Sequence, residues 1–193
     1  MKLDLLAGST RFEHSRQVSK ISALLAERAG YTPEETAMIE EAALYHDIGK
    51  ADIPKTILNK PGKLTSEEFD IVKTHTELGY RKIMDATKTL SVAATVCQEH
   101  HERPDGNGYS HARWTDIHPY AKLISVGDVF DALYSHRAYK PAWSIPEIRA
   151  YFREQSGKQF DPEIVCLLLG ALDKILLLYK NRNAHNWQNT HFN

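Results

Sequence analysis

The sequence has few cysteines and no long apolar segment. Cys97 and Cys166 stand apart with no CxxC pair, so no disulfide framework is indicated, and both lie in apolar helical patterns where burial is expected. No apolar run approaches the roughly 20 residues that a membrane helix needs. The apolar stretch near the start, Leu5–Ala7, is too short for a signal peptide. We therefore expect a cytoplasmic protein that is not inserted in a membrane.

Excess charge is also lacking. The formal net charge is −1 for 193 residues, which argues against a broad basic surface for DNA. Any affinity for phosphate must come from a local group of basic side chains. The length fits one domain with a real hydrophobic core.

Strand-like alternation, internal repeats and linkers are absent from the pattern as well, and helix signals take their place. Capping boxes begin at Thr32, Thr65 and Ser144, and Asp161 precedes a fourth helix start. We predict an all-α, single-domain helical bundle over residues 12–180, with an N-terminal lead of 1–11 and a polar, frayed tail of 181–193.

Apolar spacing places the individual helices. One helix is expected to run from Thr65 past Phe69 and Val72 to His75, with these apolar residues on its inner face. Residues 51–64 read as an irregular loop because they contain two prolines and a glycine. The other predicted helices cover Phe12–Ala29, Thr32 to near Gly49, Thr89–His101 with Leu90 on its apolar stripe, Pro119–Tyr134, and the segments after Ser144 and Asp161.

Histidine is what the sequence has in abundance, with ten residues, several in phase with apolar helix faces. His14 precedes Val18, Ile21 and Leu25 by four, seven and eleven residues, so it shares their buried stripe. Taken alone, each such histidine is more readily explained as a hydrogen-bonded core residue than as a ligand. The same inward phase, or a position at the inner end of a helix, applies to a further set: His46, Asp47, His75, His100, His101 and Asp128.

Together these side chains bring imidazoles and carboxylates to the inner parts of five helices. Buried charges are rarely left without a compensating ion, which favours a metal centre. Imidazole and carboxylate ligands suit Fe, Mn, Zn, Ni or Co. Asp131 lies one turn after Asp128 on the same face, where it can orient a ligand without binding metal itself.

Four segments make the chain resemble HD-GYP domains, a subset of the HD phosphohydrolase superfamily, over about Phe12–Leu168. The resemblance implies an HD-type helical fold and a phosphodiesterase acting on a cyclic dinucleotide, cyclic di-GMP or 3′,3′-cyclic GMP-AMP. It implies hydrolysis to a linear dinucleotide by a hydroxide shared between two metals. The segments are His46–Lys50, Lys73–Gly79, His100–Tyr109 and Asp128–Leu133.

The resemblance also implies a role for each matching residue. One metal would be bound by His14, His46, Asp47 and Asp128, and the second by Asp47, His75, His100 and His101, so that Asp47 bridges them. Lys50 would contact the scissile phosphate, and Arg137 and Lys140 would hold the substrate phosphates. Two divalent transition metals are expected per chain, Fe or Mn first, with Ni, Co or Zn as alternatives.

The chain departs from the family pattern at several positions. Ser110 replaces the proline of the GYP signature, which concerns the loop shape, substrate entry and a possible protein partner at this loop. The loop between Tyr109 and Asp128 is one residue shorter than usual, and Lys122 stands where arginine is common. Thr10 occupies the position of a glutamate that binds a third metal in some members, so two metals are expected rather than three.

Two other functions stay open. A general HD-type nucleotide phosphohydrolase with one metal would need only His14, His46, Asp47 and Asp128. A non-catalytic domain would bind a cyclic dinucleotide or a protein without hydrolysis. The oligomeric state also stays open, since the apolar last helix fits a core helix better than a dimer surface.

Overall fold

The architecture is helical throughout the part of the chain that the structure, a computed structural model, describes. These residues are 10–88, 90–135 and 141–189, with side chains described for 13–88, 90–135 and 141–180. Short 3-10 helices cover Ile48–Asp52 and Trp114–Asp116. The predicted all-α class is confirmed. The α-helices are α1 Thr10–Ala29, α2 Pro33–Tyr45, α3 Lys55–Leu58, α4 Ser66–Lys73, α5 His75–Thr87, α6 Val92–Glu99, α7 Pro119–Tyr134, α8 Ile145–Gln155 and α9 Pro162–Asn189.

Two apolar clusters organise the packing. The larger cluster joins α1, α2, α7, α8 and α9, with α7 at its centre and α1 packed against α2, α7 and α9. Ile21, Ile124 and Phe152 are among its fully buried side chains. The smaller cluster consists of Tyr45, Ile83, Ala94 and Cys97, where α5 and α6 meet the end of α2.

Four predicted helix starts, at Thr32, Thr65, Ser144 and Asp161, are confirmed by hydrogen bonds. At each of the three capping boxes the hydroxyl accepts the backbone N–H of the third helical residue, whose glutamate accepts the N–H of the cap in return. Asp161 accepts the backbone N–H of Glu163 at 2.9 Å at the start of α9. These bonds satisfy N–H groups that a helix start leaves without partners.

The prediction of one helix from Thr65 to His75 is wrong at its end. Helix α4 ends at Lys73, and His75 begins α5 after a single junction residue, Thr74, whose hydroxyl donates to the carbonyl of Ile71 at 2.7 Å. Thr74 keeps helical dihedrals, with φ −62° and ψ −14°, so the local pattern reads as continuous helix although α4 and α5 are separate helices. Phe69, expected inside, is 44% exposed.

Three other expectations need correction. Leu90 is 68% exposed and precedes α6, because Ser91 accepts the N–H of Ala94 and caps the helix there. The segment 51–64 is not wholly irregular, since Pro54 stands at the N-cap of α3, where its missing N–H costs nothing. Cys97 is buried as expected, whereas Cys166 is exposed on α9.

Helix α9 is longer than expected. It continues to Asn189, beyond residue 180, where we placed the start of a tail. The division into lead, domain and tail stays a prediction. Among the described residues, no helix combines the length and the apolarity that crossing a bilayer requires.

Candidate metal centre

The structure brings all seven predicted ligand residues together, and it arranges them as two adjacent groups. Within each group, one nitrogen or oxygen atom of every member lies within 4.8 Å of those of the others. Five helix segments contribute, so the centre is a product of tertiary packing. One group is His14, His46 and Asp128, and the other is Asp47, His75, His100 and His101.

The backbone between α2 and the first 3-10 helix explains how adjacent residues reach the same point. His46 keeps helical dihedrals at the C-cap of α2, with φ −49° and ψ −36°. Asp47 leaves the helix, with φ −104° and ψ 11°, and caps the 3-10 helix that follows. Side chains of neighbours on one helix diverge by about 100°, and this change of direction brings the two together.

Three histidines are oriented by backbone carbonyl groups that lie three or four residues earlier in the chain. Nδ1 of His46 lies 2.6 Å from the Ala43 oxygen, and Nδ1 of His75 lies 2.6 Å from the Val72 oxygen. Nδ1 of His100 lies 3.0 Å from the Val96 oxygen. Because a carbonyl only accepts, Nδ1 must carry the proton, and the lone pair of each ring then stands on Nε2.

These lone pairs fit a metal ion. Nε2 of His46, His75 and His100, and Oδ1 of Asp47, are buried without a hydrogen-bond partner in the described part of the chain. Buried polar atoms without partners are costly, and here four of them converge. Imidazole nitrogens backed by carbonyls, together with carboxylate oxygens, form the donor set of divalent transition-metal sites.

Asp47 lies between the two groups. Its Oδ1 is 3.3 Å from Nε2 of His75 and 3.7 Å from Nε2 of His100, while its Oδ2 is 3.4 Å from Nε2 of His46. Each oxygen of one carboxylate therefore faces a different group. This is the arrangement that a carboxylate bridging two ions requires.

Lys50 projects from the 3-10 helix into the same region. Its Nζ lies 2.5 Å from Oδ2 of Asp47. Burial by itself would raise the pKa of Asp47, but Lys50 and the neighbouring histidines hold it well below its ordinary value. Asp47 is therefore an ionised carboxylate, which is the form that binds a cation.

His14 is held between two aspartates of α7. Its Nε2 lies 3.0 Å from Oδ1 of Asp128, and its Nδ1 lies 2.6 Å from Oδ2 of Asp131. Burial alone would lower the pKa of His14, but the bonds to both carboxylates raise it to about 10. The site thus favours a positive charge here, which a proton supplies in the absence of a metal ion.

His100 and His101 are shifted in the opposite direction. Burial lowers the pKa of His100, and burial together with the neighbouring His100 places that of His101 well below the ordinary value. Both rings are therefore neutral at physiological pH. Neutral imidazole is the form that coordinates metal.

Asp131 occupies the supporting position that the sequence predicted. Besides His14, its carboxylate accepts hydrogen bonds from the hydroxyls of Ser135, at 2.9 Å, and Tyr179, at 2.7 Å. Asp131 is 2% exposed, so these three donors stabilise a buried charge. Tyr179 was not predicted to take part, because it is 48 residues away and no local pattern connects it to Asp131.

Two residues of the loop after α6 also escaped the prediction. Tyr109 lies over His101, with ring centroids 4.4 Å apart, and burial raises its pKa to about 12. Glu102 is 2% exposed and accepts two backbone N–H groups of this loop. The only signals in the sequence were that Glu102 directly follows His101 and that Tyr109 directly follows Gly108.

Some predicted residues lie outside what the structure describes. Arg137 and Lys140 fall in 136–140, outside the described residues. The backbone of Thr10 belongs to α1, but its side chain is not described, so the expectation of two metals rather than three stays a prediction. Lys122, at the family's arginine position, places its Nζ over the Trp114 ring.

The sequence matches a known protein family over most of its length. A family model described as HD domain matches residues 4–164. The chain belongs to the HD domain family. The recognition made from the four sequence segments is therefore confirmed.

Several curated relatives of this HD domain carry cyclic dinucleotide phosphodiesterase names. The cyclic di-GMP phosphodiesterase response regulator RpfG of Xanthomonas campestris is 41% identical over 155 residues, which are 79% of this chain and 41% of the relative. The 3′3′-cGAMP-specific phosphodiesterase 2 of Vibrio cholerae is 36% identical, over 86% of this chain and 32% of the relative. A cyclic di-GMP phosphodiesterase of Thermotoga maritima is 35% identical, over 92% and 50%. The chain thus spans half or less of these three relatives.

Solved structures show the same fold. Bd1817 of Bdellovibrio bacteriovorus, described as an HDG"Y"P protein, superposes with a TM-score of 0.71 at 23% identity, over 85% of this chain and 53% of that one. The HD domain of the Listeria monocytogenes phosphodiesterase PgpH, in complex with cyclic-di-AMP, gives a TM-score of 0.60 at 18% identity, over 87% and 89%. The predicted HD-type bundle is therefore confirmed.

Proposed function

We propose that this chain is a metal-dependent phosphodiesterase that hydrolyses a cyclic dinucleotide to a linear dinucleotide. Cyclic di-GMP is the first candidate substrate, and 3′,3′-cyclic GMP-AMP is the second. The names of relatives at 35–41% identity support this substrate class. The observation that carries the proposal is the position of Asp47, whose two oxygens face two separate groups of metal-binding side chains.

We infer that each group binds one divalent ion, with Asp47 as a ligand to both. The donor set of nitrogen and oxygen atoms suits Fe or Mn, and Ni, Co and Zn are compatible with it. Divalent ions, when bound, would act as Lewis acids toward the phosphoryl group and would lower the pKa of a bound water molecule. The contribution of the protein is the fixed direction of each Nε2 atom, which the carbonyl groups at Nδ1 determine.

Lys50 is the proposed phosphate contact within the described chain. An ammonium group has three N–H donors, so its bond to Asp47 is compatible with a second bond to a phosphoryl oxygen. Its position beside the shared carboxylate would bring its charge next to the scissile phosphate. Arg137 and Lys140 are proposed to hold the second phosphate of the ring and so to position the scissile bond.

Metal content and turnover test this proposal together. Purified protein should contain close to two transition-metal ions per chain and convert cyclic di-GMP or 3′,3′-cyclic GMP-AMP to a linear product. His100→Ala should remove one ion and abolish turnover, because His100 belongs to the group that binds the second ion. A one-metal enzyme would not need this ion and would stay active. His118→Asn is the matched control, since it removes a histidine outside both groups and keeps a good N-cap for α7.

Two results would contradict the proposal. One ion per chain, with turnover of mononucleotides that His100→Ala retains, would instead indicate a one-metal nucleotide phosphohydrolase. Binding of a cyclic dinucleotide with no hydrolysis in the presence of Fe, Mn and Ni would indicate a binding domain. A protein partner at the loop around Ser110, the oligomeric state and the cytoplasmic location stay predictions.

A further inference from the structure

Glu102 is a buried carboxylate that bonds to the backbone of the following loop. It comes directly after His101 and is 2% exposed. Its Oε1 accepts the N–H of Ser110 at 2.8 Å, and its Oε2 accepts the N–H of Ala112 at 3.2 Å. A buried carboxylate is tolerated only when hydrogen bonds replace its water, so these two bonds tie the loop to Glu102.

The loop approaches Glu102 closely enough to require glycine. A Cβ atom added to Gly108 would lie 2.4 Å from Oε2 of Glu102 and 2.7 Å from its Cα. The second of these atoms is backbone and cannot rotate away. Gly108 therefore allows the chain to pass against Glu102 immediately before Tyr109.

In the chain, Tyr109 lies between Gly108, which passes against Glu102, and the two residues whose N–H groups bond to Glu102. Its ring lies 4.4 Å from the His101 ring at an interplanar angle of 32°, and 6.2 Å from the His75 ring in an edge-on arrangement. The hydrogen bonds to Glu102 follow Tyr109 by one and three residues. They thereby fix the segment that carries its ring onto the histidines.

His101 has special need of such support. His46, His75 and His100 each have a backbone carbonyl at Nδ1. Within the described residues His101 makes no such bond, and its ring instead contacts those of His100, at 4.1 Å, and Tyr109. The contact with the tilted Tyr109 ring is thus in a position to orient His101, as a hydrogen bond orients the other three rings.

The residue at position 110 takes part through its backbone. Proline has no N–H, so the bond from residue 110 to Glu102 is impossible in a chain that has the signature proline. Proline would also restrict the backbone of Tyr109, the residue before it. Ser110 is thus compatible with the Glu102 bond, and the serine hydroxyl is not needed for it.

We propose that Glu102 is a positioning residue that, through the backbone N–H groups of Ser110 and Ala112, holds Tyr109 against His101 and so orients His101 toward the ion shared with Asp47, His75 and His100. The inference rests on the proposed metal-dependent function. In this chain the N–H of residue 110 is part of the support, so restoring the signature proline should harm the centre.

The test compares Ser110→Pro with Ser110→Ala. Both remove the hydroxyl, but only the first removes the N–H. In metal-free protein, hydrogen exchange at the amide of Ala112 should be slow in the wild type and in Ser110→Ala, and at least about tenfold faster in Ser110→Pro. Affinity for Mn²⁺, titrated by calorimetry, should fall about 10–100-fold at one site in Ser110→Pro only, which is the usual effect of losing support around a metal ligand.

A second pair of variants acts on the ring itself. Tyr109→Phe keeps the ring and should retain Mn²⁺ affinity, whereas Tyr109→Leu should lose it to the same extent as Ser110→Pro. This pair decides the question if Ser110→Pro does not fold. The inference is overturned if Ser110→Pro matches Ser110→Ala in exchange and affinity, or if Tyr109→Leu binds Mn²⁺ as the wild type does.

The measurements separate this inference from the proposed function. Exchange and Mn²⁺ binding need no substrate. If the variants behave as expected while the wild type hydrolyses no cyclic dinucleotide, the proposed function fails and the role of Glu102 stands. If the wild type is active and Ser110→Pro has unchanged exchange and affinity, the proposed function stands and the role of Glu102 fails.

Discussion

Asp131 accepts a hydrogen bond from His14 across 2.6 Å, although the two residues are 117 positions apart in the chain. The bond joins α7 to α1 at the wall of the metal centre. It fixes Nδ1 of His14 and leaves Nε2 directed at Asp128. A carboxylate behind an imidazole both orients the ring and makes it a better ligand.

Asp131→Asn should weaken the ion bound by His14, His46 and Asp128. The amide keeps the shape but removes the negative charge beside His14, and loss of such a carboxylate costs about 10–100-fold in metal affinity. Metal titration followed by elemental analysis should show one weakened site and one unchanged site. Asp173→Asn, at an exposed position of α9, should leave both sites unchanged; an equal loss there would contradict the assignment.

Tyr179→Phe should lower both the stability of the fold and the affinity for the ion beside His14, the latter less than Asp131→Asn does. It removes the hydroxyl that donates to Asp131 at 2.7 Å in a buried position, which should lower the free energy of unfolding by about 1–3 kcal/mol. Urea denaturation measures this loss. Tyr151→Phe removes a half-buried hydroxyl bound to Gln159 and serves as the control. Only the change at Tyr179 should also reduce metal affinity, and it should not be additive with Asp131→Asn.

Gly49→Ala should be strongly destabilising. An added Cβ would lie 2.0 Å from the carbonyl oxygen of His75 and 2.5 Å from the nitrogen of Gly79, and both atoms are backbone. We expect a loss of about 3 kcal/mol in the free energy of unfolding, with displacement of α5. Gly170→Ala is the control, since only the flexible end of Arg28 is near, and it should be neutral or stabilising by up to about 1 kcal/mol. Equal unfolding midpoints for the two variants would refute this.

In the metal-free protein, the free energy of unfolding should decrease as pH rises above 6.5. In the metal-free protein the pKa of His14 is raised from 6.5 to about 10 by its aspartate partners, which outweigh the effect of burial. A raised histidine pKa stabilises the fold fully below the unfolded value of 6.5, and this contribution is lost as pH rises through 10. Urea midpoints of metal-free protein should therefore fall between pH 6.5 and 10, and His14→Gln should lack this part of the decline.

Helix starts and the inward phase of His14 could be predicted because both depend on residues close together in the chain. A capping box spans four residues, and the stripe shared by His14 and Val18 follows from the helical repeat alone. The resemblance to a known family then divided the ligands into two sets. The structure brings together His14, His46 and Asp128 as one group and Asp47, His75, His100 and His101 as the other, and Oδ2 of Asp47 lies 3.4 Å from Nε2 of His46.

Two errors concern helix boundaries that the local pattern leaves ambiguous, and the omissions concern contacts between distant segments. Thr74 has helical dihedrals, so no local signal separates α4 from α5. Leu90 looked like part of a stripe because periodicity does not reveal which of two adjacent residues caps a helix. The contacts of Tyr109 with His75, and of Tyr179 with Asp131, depend on how helices pack, and no pattern of sequence spacing reports that.

The carbonyl partners of His46, His75 and His100 lie only three or four residues earlier in the chain. His46 and His100 therefore take their direction from the last turns of α2 and α6, and His75 takes its direction from the last turn of α4 across Thr74. The longer connecting segments do not set the direction of these three rings. Insertions or deletions in those connections leave the aim of each ring unchanged as long as the helices still pack. Circular permutation within such a connection should be accepted for the same reason.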